Sequence, residues 1–277
     1  MGLEPHGLNL LRYAGNLGEI VTLGRCSNLL TASQLRVAGI PERFAKDQFA
    51  DSLLLYLGAK SVESYDNSDF EGATYIADFN KPLPAHRQYD TVLDFGMIEH
   101  VYDIAQALKN MRDLCRDGGQ ILHVAPANNF CGHGFWQISP ELFFTLYSAG
   151  NGFDSTEVFI TKVRGHKPWY RVIPPANGQR AHVSSAVPLF VICRTKKRKD
   201  EQSLVVQQSD YLHLWAGGRP AYNGILGKMK KWIRTRPLLA DFAWPIYHRF
   251  ITDASGRNPH LVFWNKRLSG GRDLRAH

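Results

Sequence analysis

The feature that most constrains this chain is a regular alternation of short apolar runs with helix-like segments across its first two hundred residues. Residues 19–23 (EIVTL) read as a buried strand that ends in Gly24. A polar stretch punctuated by Gly39-Ile40-Pro41 follows, and residues 47–57 (DQFADSLLLYL) predict a helix closed by Gly58. Residues 61–65 (SVESY) give a second strand ending in Asp66, and residues 73–77 (ATYIA) a third ending in Asp78. Residues 89–95 (YDTVLDF) give a fourth, ending in Gly96. Residues 103–114 set Ile104, Ala107, Leu108, Met111 and Leu114 at helical spacing, and Gly118-Gly119 is expected to stop that helix. Residues 120–124 (QILHV) are the fifth strand and end at Pro126.

Short strands separated by helices call for parallel βαβ units, with the sheet covered on both faces. A helix over residues 141–148 follows Ser139-Pro140. Two further β-rich runs, residues 155–163 (STEVFITKV) and 187–195 (VPLFVICRT), flank a loop rich in Pro, Gly and Trp. The expected fold is α/β and Rossmann-like: a seven-stranded, mostly parallel sheet with helices on both faces and the last strand antiparallel. Composition shifts at KKRKDEQS, which places a domain over residues 1–200 and a basic, partly helical extension over residues 201–277.

The formal charge of +8 is unevenly spread. Residues 1–200 carry 21 Lys/Arg against 20 Asp/Glu, whereas residues 201–277 carry 12 against 5. A basic tail on a near-neutral body suits contact with an anionic surface, or simply a solvated face. Within it, residues 223–236 (NGILGKMKKWIRTR) gather Ile225, Leu226, Met229, Trp232 and Ile233 on one helical face. Such a segment either lies on a membrane surface or docks on the main domain. No window is long and apolar enough for a membrane span, and the opening residues lack the pattern of a secretory signal. The four scattered cysteines fit a reducing cytosol, so the expected location is cytoplasmic, with peripheral membrane contact as the variant. Cys131 and His133 lack a second ligand pair at zinc-finger spacing, so no metal is expected.

The fourth strand and its exit, YDTVLDFGMIEHVYD, followed by an amphipathic helix and CRDGGQILHVAPANN, resemble class I S-adenosylmethionine-dependent methyltransferases of the small-molecule type. The resemblance is close over residues 60–145 and looser over residues 19–60, and NNFCGHGFWQISPELFF resembles a loop of one subgroup. It implies S-adenosylmethionine as cofactor, lying across the strand ends as ligands do in open α/β sheets. It implies that Asp66 accepts from the ribose hydroxyls, that Asp78 and Phe79 meet the adenine, and that Gly96 lines the fourth exit. One departure is plain. Where the family has a glycine-rich first loop, this chain has LGRCSNLLTASQL, with Gly24 alone at the turn. Gly24 still permits close approach, and Arg25 or Ser27 is the expected partner of the methionine carboxylate, Arg25 by a paired charge-assisted contact. The rival to a working cofactor site is a non-catalytic scaffold that binds a partner through its basic tail.

Methyl transfer to a neutral alcohol gains from a base beside the acceptor. His133, flanked by glycines in a loop after the fifth strand, is one expected base; Glu99 and His100, after the fourth, are the others. Each also has a structural reading, as a helix cap or a loop tie. Phe135, Trp136 and Gln137 are expected either to wall an acceptor pocket or to pack in the core. Trp169 and Tyr170 read as stacking surfaces or as a lid, with Arg171 beside them for an anionic group. The expected acceptor is a small or glycan-linked molecule methylated at oxygen. With no RNA-binding motif beside the tail, nucleic acid is not the expected partner.

Overall fold

A computed structural model describes residues 2–84, 87–163, 168–199, 204–218, 232–233, 235–247 and 252–264. The elements run β1 (Gly2–Leu3), α1 (Pro5–Ala14), β2 (Gly18–Leu23), β3 (Ser27–Asn28), α2 (Ala32–Val37), α3 (Asp51–Tyr56) and β4 (Ala59–Asp66). Next come β5 (Tyr75–Ile76), β6 (Tyr89–Asp94), α4 (Ile104–Leu114), β7 (Cys115–Pro126), α5 (Pro140–Leu146) and β8 (Phe153–Lys162). The chain closes with β9 (Tyr170–Val172), β10 (Leu189–Lys197), α6 (Ser209–Trp215), α7 (Pro237–Tyr247) and β11 (Leu261–Phe263).

The main sheet has the order β11-β9-β8-β10-β7-β6-β2-β4-β5. From β5 to β7 every neighbouring pair is parallel, whereas β10 runs antiparallel to both β7 and β8. The seven strands from β5 across to β8 have the order and the single reversed strand of the class I methyltransferase sheet. The chain enters at β2 in the middle, builds outward through β4 and β5, then crosses to β6 on the other side. The order therefore reverses at β2, and the crevice beyond the carboxyl ends of β2, β4 and β6 is where such a sheet holds ligands.

Both faces are covered, and neighbouring residues on a strand serve opposite layers. Val92 and Ile121 join α4 and α5 in one core, through Ala107, Leu108, Met111, Leu114, Phe143 and Leu146. Leu93 and Leu122 join α1 and α3 in the other, through Leu8, Leu10, Leu11, Leu53 and Leu54. Helix α4 matches its predicted apolar spacing and starts where the Asp103 side chain accepts from the Gln106 amide. Gly118-Gly119 acts differently from expectation. The helix ends at Leu114, and the glycines form an irregularity inside β7, whose register with β6 shifts between Tyr89↔Cys115 and Thr91↔Gln120. Gly118 has φ 79°, and a Cβ on Gly119 would sit 2.9 Å from the Arg116 carbonyl oxygen.

Part of the chain beyond residue 200 is built into this body. Strand β11 pairs antiparallel with β9 at the sheet edge, and Trp264 stacks on Trp169 with ring centroids 5.2 Å apart. Asp210 in α6 holds Arg180 at 2.6 Å, and the Ser209 amide donates to Glu141. The predicted amphipathic helix at residues 223–236 falls outside the described residues, except for Trp232, Ile233, Thr235 and Arg236. Among the described residues no helix is long and apolar enough to cross a membrane.

Candidate functional site

The residues singled out at the strand ends fall into two groups in space. The first lies at the exits of β2, β4 and β5. Gly24 turns with φ 74°, and its amide donates to the Tyr65 carbonyl at 2.6 Å. The Arg25 amide donates to Asp66 Oδ2 at 3.1 Å, so Asp66 and the first loop are held together. Among the described residues Asp66 Oδ1 accepts only a long contact, 3.4 Å, from the Ser68 amide. The Arg25 side chain takes another direction than expected: its guanidinium pairs with Asp51 at 2.7 Å and lies over the Phe49 ring at 4.2 Å. A partly buried arginine with an aspartate in reach satisfies its charge locally.

Asp78 is tied to its own turn, accepting from the Asn80 amide at 3.0 Å and side chain at 2.9 Å, with Lys81 at 3.2 Å. These donors hold its carboxyl below the usual range. Phe79 turns inward. It is 6% exposed and meets Tyr65 edge-on within the core, where burying an apolar ring outweighs presenting it at a surface. An unforeseen neighbour is β1, which pairs parallel with β3 and whose Gly2 amide donates to the Phe95 carbonyl. It thus bridges the chain leaving β2 to the chain leaving β6. Glu4 next to it caps α1, and burial pushes its carboxyl up to about 7.

The second group gathers Glu99, His100 and His133, which belong to different crossovers. Gly96, with φ 92°, turns the chain out of β6 into the 3-10 turn Ile98–His100. The loop after β7 is pinned onto that turn, with the Phe135 and Trp136 amides donating to the Glu99 carbonyl at 2.7 and 3.2 Å. His133 Nε2 therefore lies 3.7 Å from Glu99 Oε1, His100 Nε2 lies 3.9 Å from the same oxygen, and the two imidazoles meet edge-on at 5.2 Å. Glu99 is 1% exposed, whereas the histidines are about half exposed (48% and 54%). Burial, and after it the Asp94 charge, pushes the Glu99 carboxyl up to about 8. Burial, then His133, lowers His100 from its ordinary value, which favours the neutral imidazole.

Gly134 makes this docking possible. Its φ is 77°, and a Cβ there would stand 2.8 Å from the Glu99 carbonyl oxygen. Gly134→Ala is expected to cost about 1–3 kcal/mol, because a left-handed non-glycine residue and a backbone clash combine at one position. Hydrogen exchange of the Phe135 and Trp136 amides would show it: protection there falls if the loop lifts off Glu99.

Around the histidines Phe135 (67% exposed), Tyr102 (75%) and Trp136 (39%) form an aromatic rim. Phe135 meets Tyr102 edge-on, and the Trp136 indole N–H donates to the Val101 carbonyl at 2.9 Å. Gln137 is turned back and accepts from the Phe130 amide. The other aromatic expectation resolves to packing: Trp169 is 3% exposed, and its N–H donates to His6 Nδ1. Tyr170 is half-buried in β9, and Arg171 lies 3.9 Å from Glu157.

Beneath the cluster is a buried chain that the sequence reading passed over. Asp94 Oδ1 accepts from the Met97 and Ile98 amides at 2.9 and 3.3 Å, while Oδ2 lies 2.8 Å from His123 Nδ1. His123 Nε2 lies 2.7 Å from the Tyr147 hydroxyl. The signal was a histidine and an aspartate inside otherwise apolar strands of a sheet covered on both faces, where a polar side chain must find a partner.

No family model and no curated protein sequence matches the chain. Solved structures with a similar backbone include the N-methyltransferase NodS from Bradyrhizobium japonicum WM9, at 12% identity and TM-score 0.39, covering 69% of this chain and 92% of that one. A SAM-dependent methyltransferase of Thermotoga maritima, described as a possible histamine N-methyltransferase, is 16% identical at TM-score 0.37, covering 69% and 87%. TehB from Haemophilus influenzae is 12% identical at TM-score 0.39, covering 70% and 62%. The fold assignment rests on the strand order above, and the chemistry on the side chains just described.

Proposed function

We propose that this chain is an S-adenosylmethionine-dependent methyltransferase acting on a small-molecule or glycan-linked acceptor, most simply at oxygen. The observation that carries the reading is the convergence of Glu99, His100 and His133 under an aromatic rim, beside the crevice where strand order reverses. The residues at that crevice fit the cofactor in part. Asp66 offers a carboxylate with one lightly engaged oxygen, and Gly24 and Gly96 end the two strands flanking the reversal without side chains. Asp66 would hold the ribose, and Asp78 the adenine edge from its own turn. When bound, S-adenosylmethionine supplies a methyl group made electrophilic by its sulfonium. The protein's part is to align an acceptor oxygen against the rim and remove its proton. His100, favoured as the neutral base, and His133 are the two imidazoles beside the crevice, and Glu99, whose Oε1 lies 3.9 and 3.7 Å from their Nε2 atoms, stands between them.

The expected outcome is calorimetric binding of S-adenosylhomocysteine by the wild type. Asp66→Ala should lose about 100-fold or more in affinity, because a ribose-binding carboxylate leaves hydroxyls unpaired when removed, while its melting temperature falls by no more than a few degrees for the lost bond from the Arg25 amide. A wild type that gives no heat, under conditions where a known methyltransferase does, would exclude cofactor-dependent chemistry. The second reading, a methyltransferase-like scaffold that binds a partner through its basic tail, is favoured by one feature. The Arg25 guanidinium is already taken by Asp51 and Phe49 in a loop with one glycine at its turn. That reading expects no cofactor affinity and loss of the partner when residues 201–277 are removed.

A further inference from the structure

The sequence pairs His133 with Cys131 as half of an incomplete zinc pattern; the fold gives it other neighbours. Three side-chain ligand atoms, one each from Glu99, His100 and His133, lie within 4.8 Å of one another. Glu99 Oε2 is buried with no hydrogen-bond partner among the described residues, and Oε1 is no closer than 3.7 Å to either imidazole. A buried carboxylate facing two imidazoles across gaps too long for hydrogen bonds is a donor set waiting for a cation. We propose that Glu99, His100 and His133 bind one divalent transition metal ion of the zinc type, with at least one coordination position left open.

Ligand chemistry selects the ion class. Two imidazole nitrogens and one carboxylate suit zinc, iron, cobalt or nickel, whereas magnesium and calcium want a shell of oxygens that this cluster does not supply. Geometry permits it. Ligands at about 2.0–2.1 Å from a tetrahedral zinc stand about 3.3 Å apart, so the imidazoles must close by under an ångström on Glu99 and by at most about 1.5 Å on each other. They can do so because both are half exposed at the surface, while Glu99 is fixed by its burial and by the loop docked on its carbonyl. The exposed histidines also leave the ion a route in. Three protein ligands with an open fourth position is the arrangement of catalytic rather than structural zinc. There the ion would lower the pKa of a bound water or acceptor hydroxyl. That role rests on the methyl-transfer reading above and, with the ion bound, takes the place of proton removal by His100 or His133, whose nitrogens facing Glu99 are then ligands; metal binding itself does not depend on that reading.

The test is titration of tag-free, chelator-treated protein with ZnCl2 by calorimetry, and with CoCl2 by visible absorption. One equivalent of zinc is expected to bind at micromolar free metal, with cobalt giving d–d bands of a site below six-coordination. His133→Ala and His100→Ala should each weaken zinc by about 100-fold or more, beyond the loss from an outer-sphere partner. Both positions are exposed enough for the variants to fold, and unchanged circular dichroism and melting temperature would establish that. Cys131→Ser should leave affinity and spectrum unchanged. The proposal is overturned if the wild type takes up no stoichiometric zinc, or if the double variant His100→Ala/His133→Ala binds it as the wild type does. It is equally overturned if Cys131→Ser abolishes binding while His100→Ala does not. Each outcome is independent of S-adenosylhomocysteine binding, so failure of the metal site and failure of the cofactor site are read separately.

Discussion

Asp94→Ala is expected to destabilise the protein by about 3–5 kcal/mol, the range seen when one member of a buried charged or hydrogen-bonded pair is removed. Asp94, His123 and Tyr147 are 0%, 0% and 2% exposed, so no water replaces a lost partner. With a neutral imidazole, one hydrogen assignment satisfies the chain: the Tyr147 hydroxyl donates to His123 Nε2, and His123 Nδ1–H donates to the Asp94 carboxylate. Burial supports it by raising Tyr147 well above its ordinary pKa, which keeps the phenol a donor. Alanine at position 94 orphans that imidazole N–H and two backbone amides, Met97 and Ile98. The melting temperature should fall by roughly 10 °C, since each kcal/mol moves a protein of this size by a few degrees. Asp94→Asn keeps an acceptor for the two amides and should lose about half as much. Chemical denaturation of the three proteins decides it: an alanine variant within 1 kcal/mol of wild type, by the scale of a single net hydrogen bond, would mean the network is not holding the exit of β6.

The position of that network explains what could be read from the chain and what could not. Strands β2 and β6 and helix α4 are legible because each is a local pattern: a short apolar run, or apolar residues at period 3.6, bounded by Gly or Asp. Helix α2 carried a readable signal that was missed, the Thr31-x-x-Gln34 capping box, in which the side chains and amides of the two residues bond reciprocally. Helix α1 was harder, since it is capped by Glu4, an uncommon cap, ahead of Pro5. The strand-end residues were legible by type but not by orientation. Nothing in LGRCS says that Asp51 will take the Arg25 guanidinium, because that pairing depends on how α3 packs. The same holds for Trp169, whose partners His6 and Trp264 come from opposite ends of the described chain. Glu99 and His100 are legible at one strand exit and His133 at another. That they meet depends on two amides of one crossover loop reaching the carbonyl of another, which no periodicity encodes.

Glu99 yields the other large effect, and its sign is opposite to that of most substitutions at a buried acid. In the unfolded chain its carboxyl titrates near the ordinary value of 4.5, and in the folded protein near 8. Between those limits the folded state holds a proton that the unfolded state has released. Stability from this group is therefore whole below about pH 4.5, falls as pH rises through the interval, and is constant again above about pH 8. Glu99→Gln preserves shape and hydrogen-bonding capacity but cannot ionise. In a chelator-containing buffer the variant should match or trail wild type at pH 5. By pH 7 it should be the more stable by on the order of 3 kcal/mol, from about 1.4 kcal/mol per unit of pH traversed. Glu4, whose carboxyl is raised to about 7, slopes the same way over part of that range, but it is present in both proteins and cancels in the difference. The measurement is a pair of denaturation series from pH 5 to 8. Parallel curves, with the glutamine variant never overtaking wild type, would show that Glu99 is ionised at neutral pH at little cost. Curves that cross would identify a carboxyl kept in the fold against its own stability, as a residue retained for chemistry rather than for packing would be.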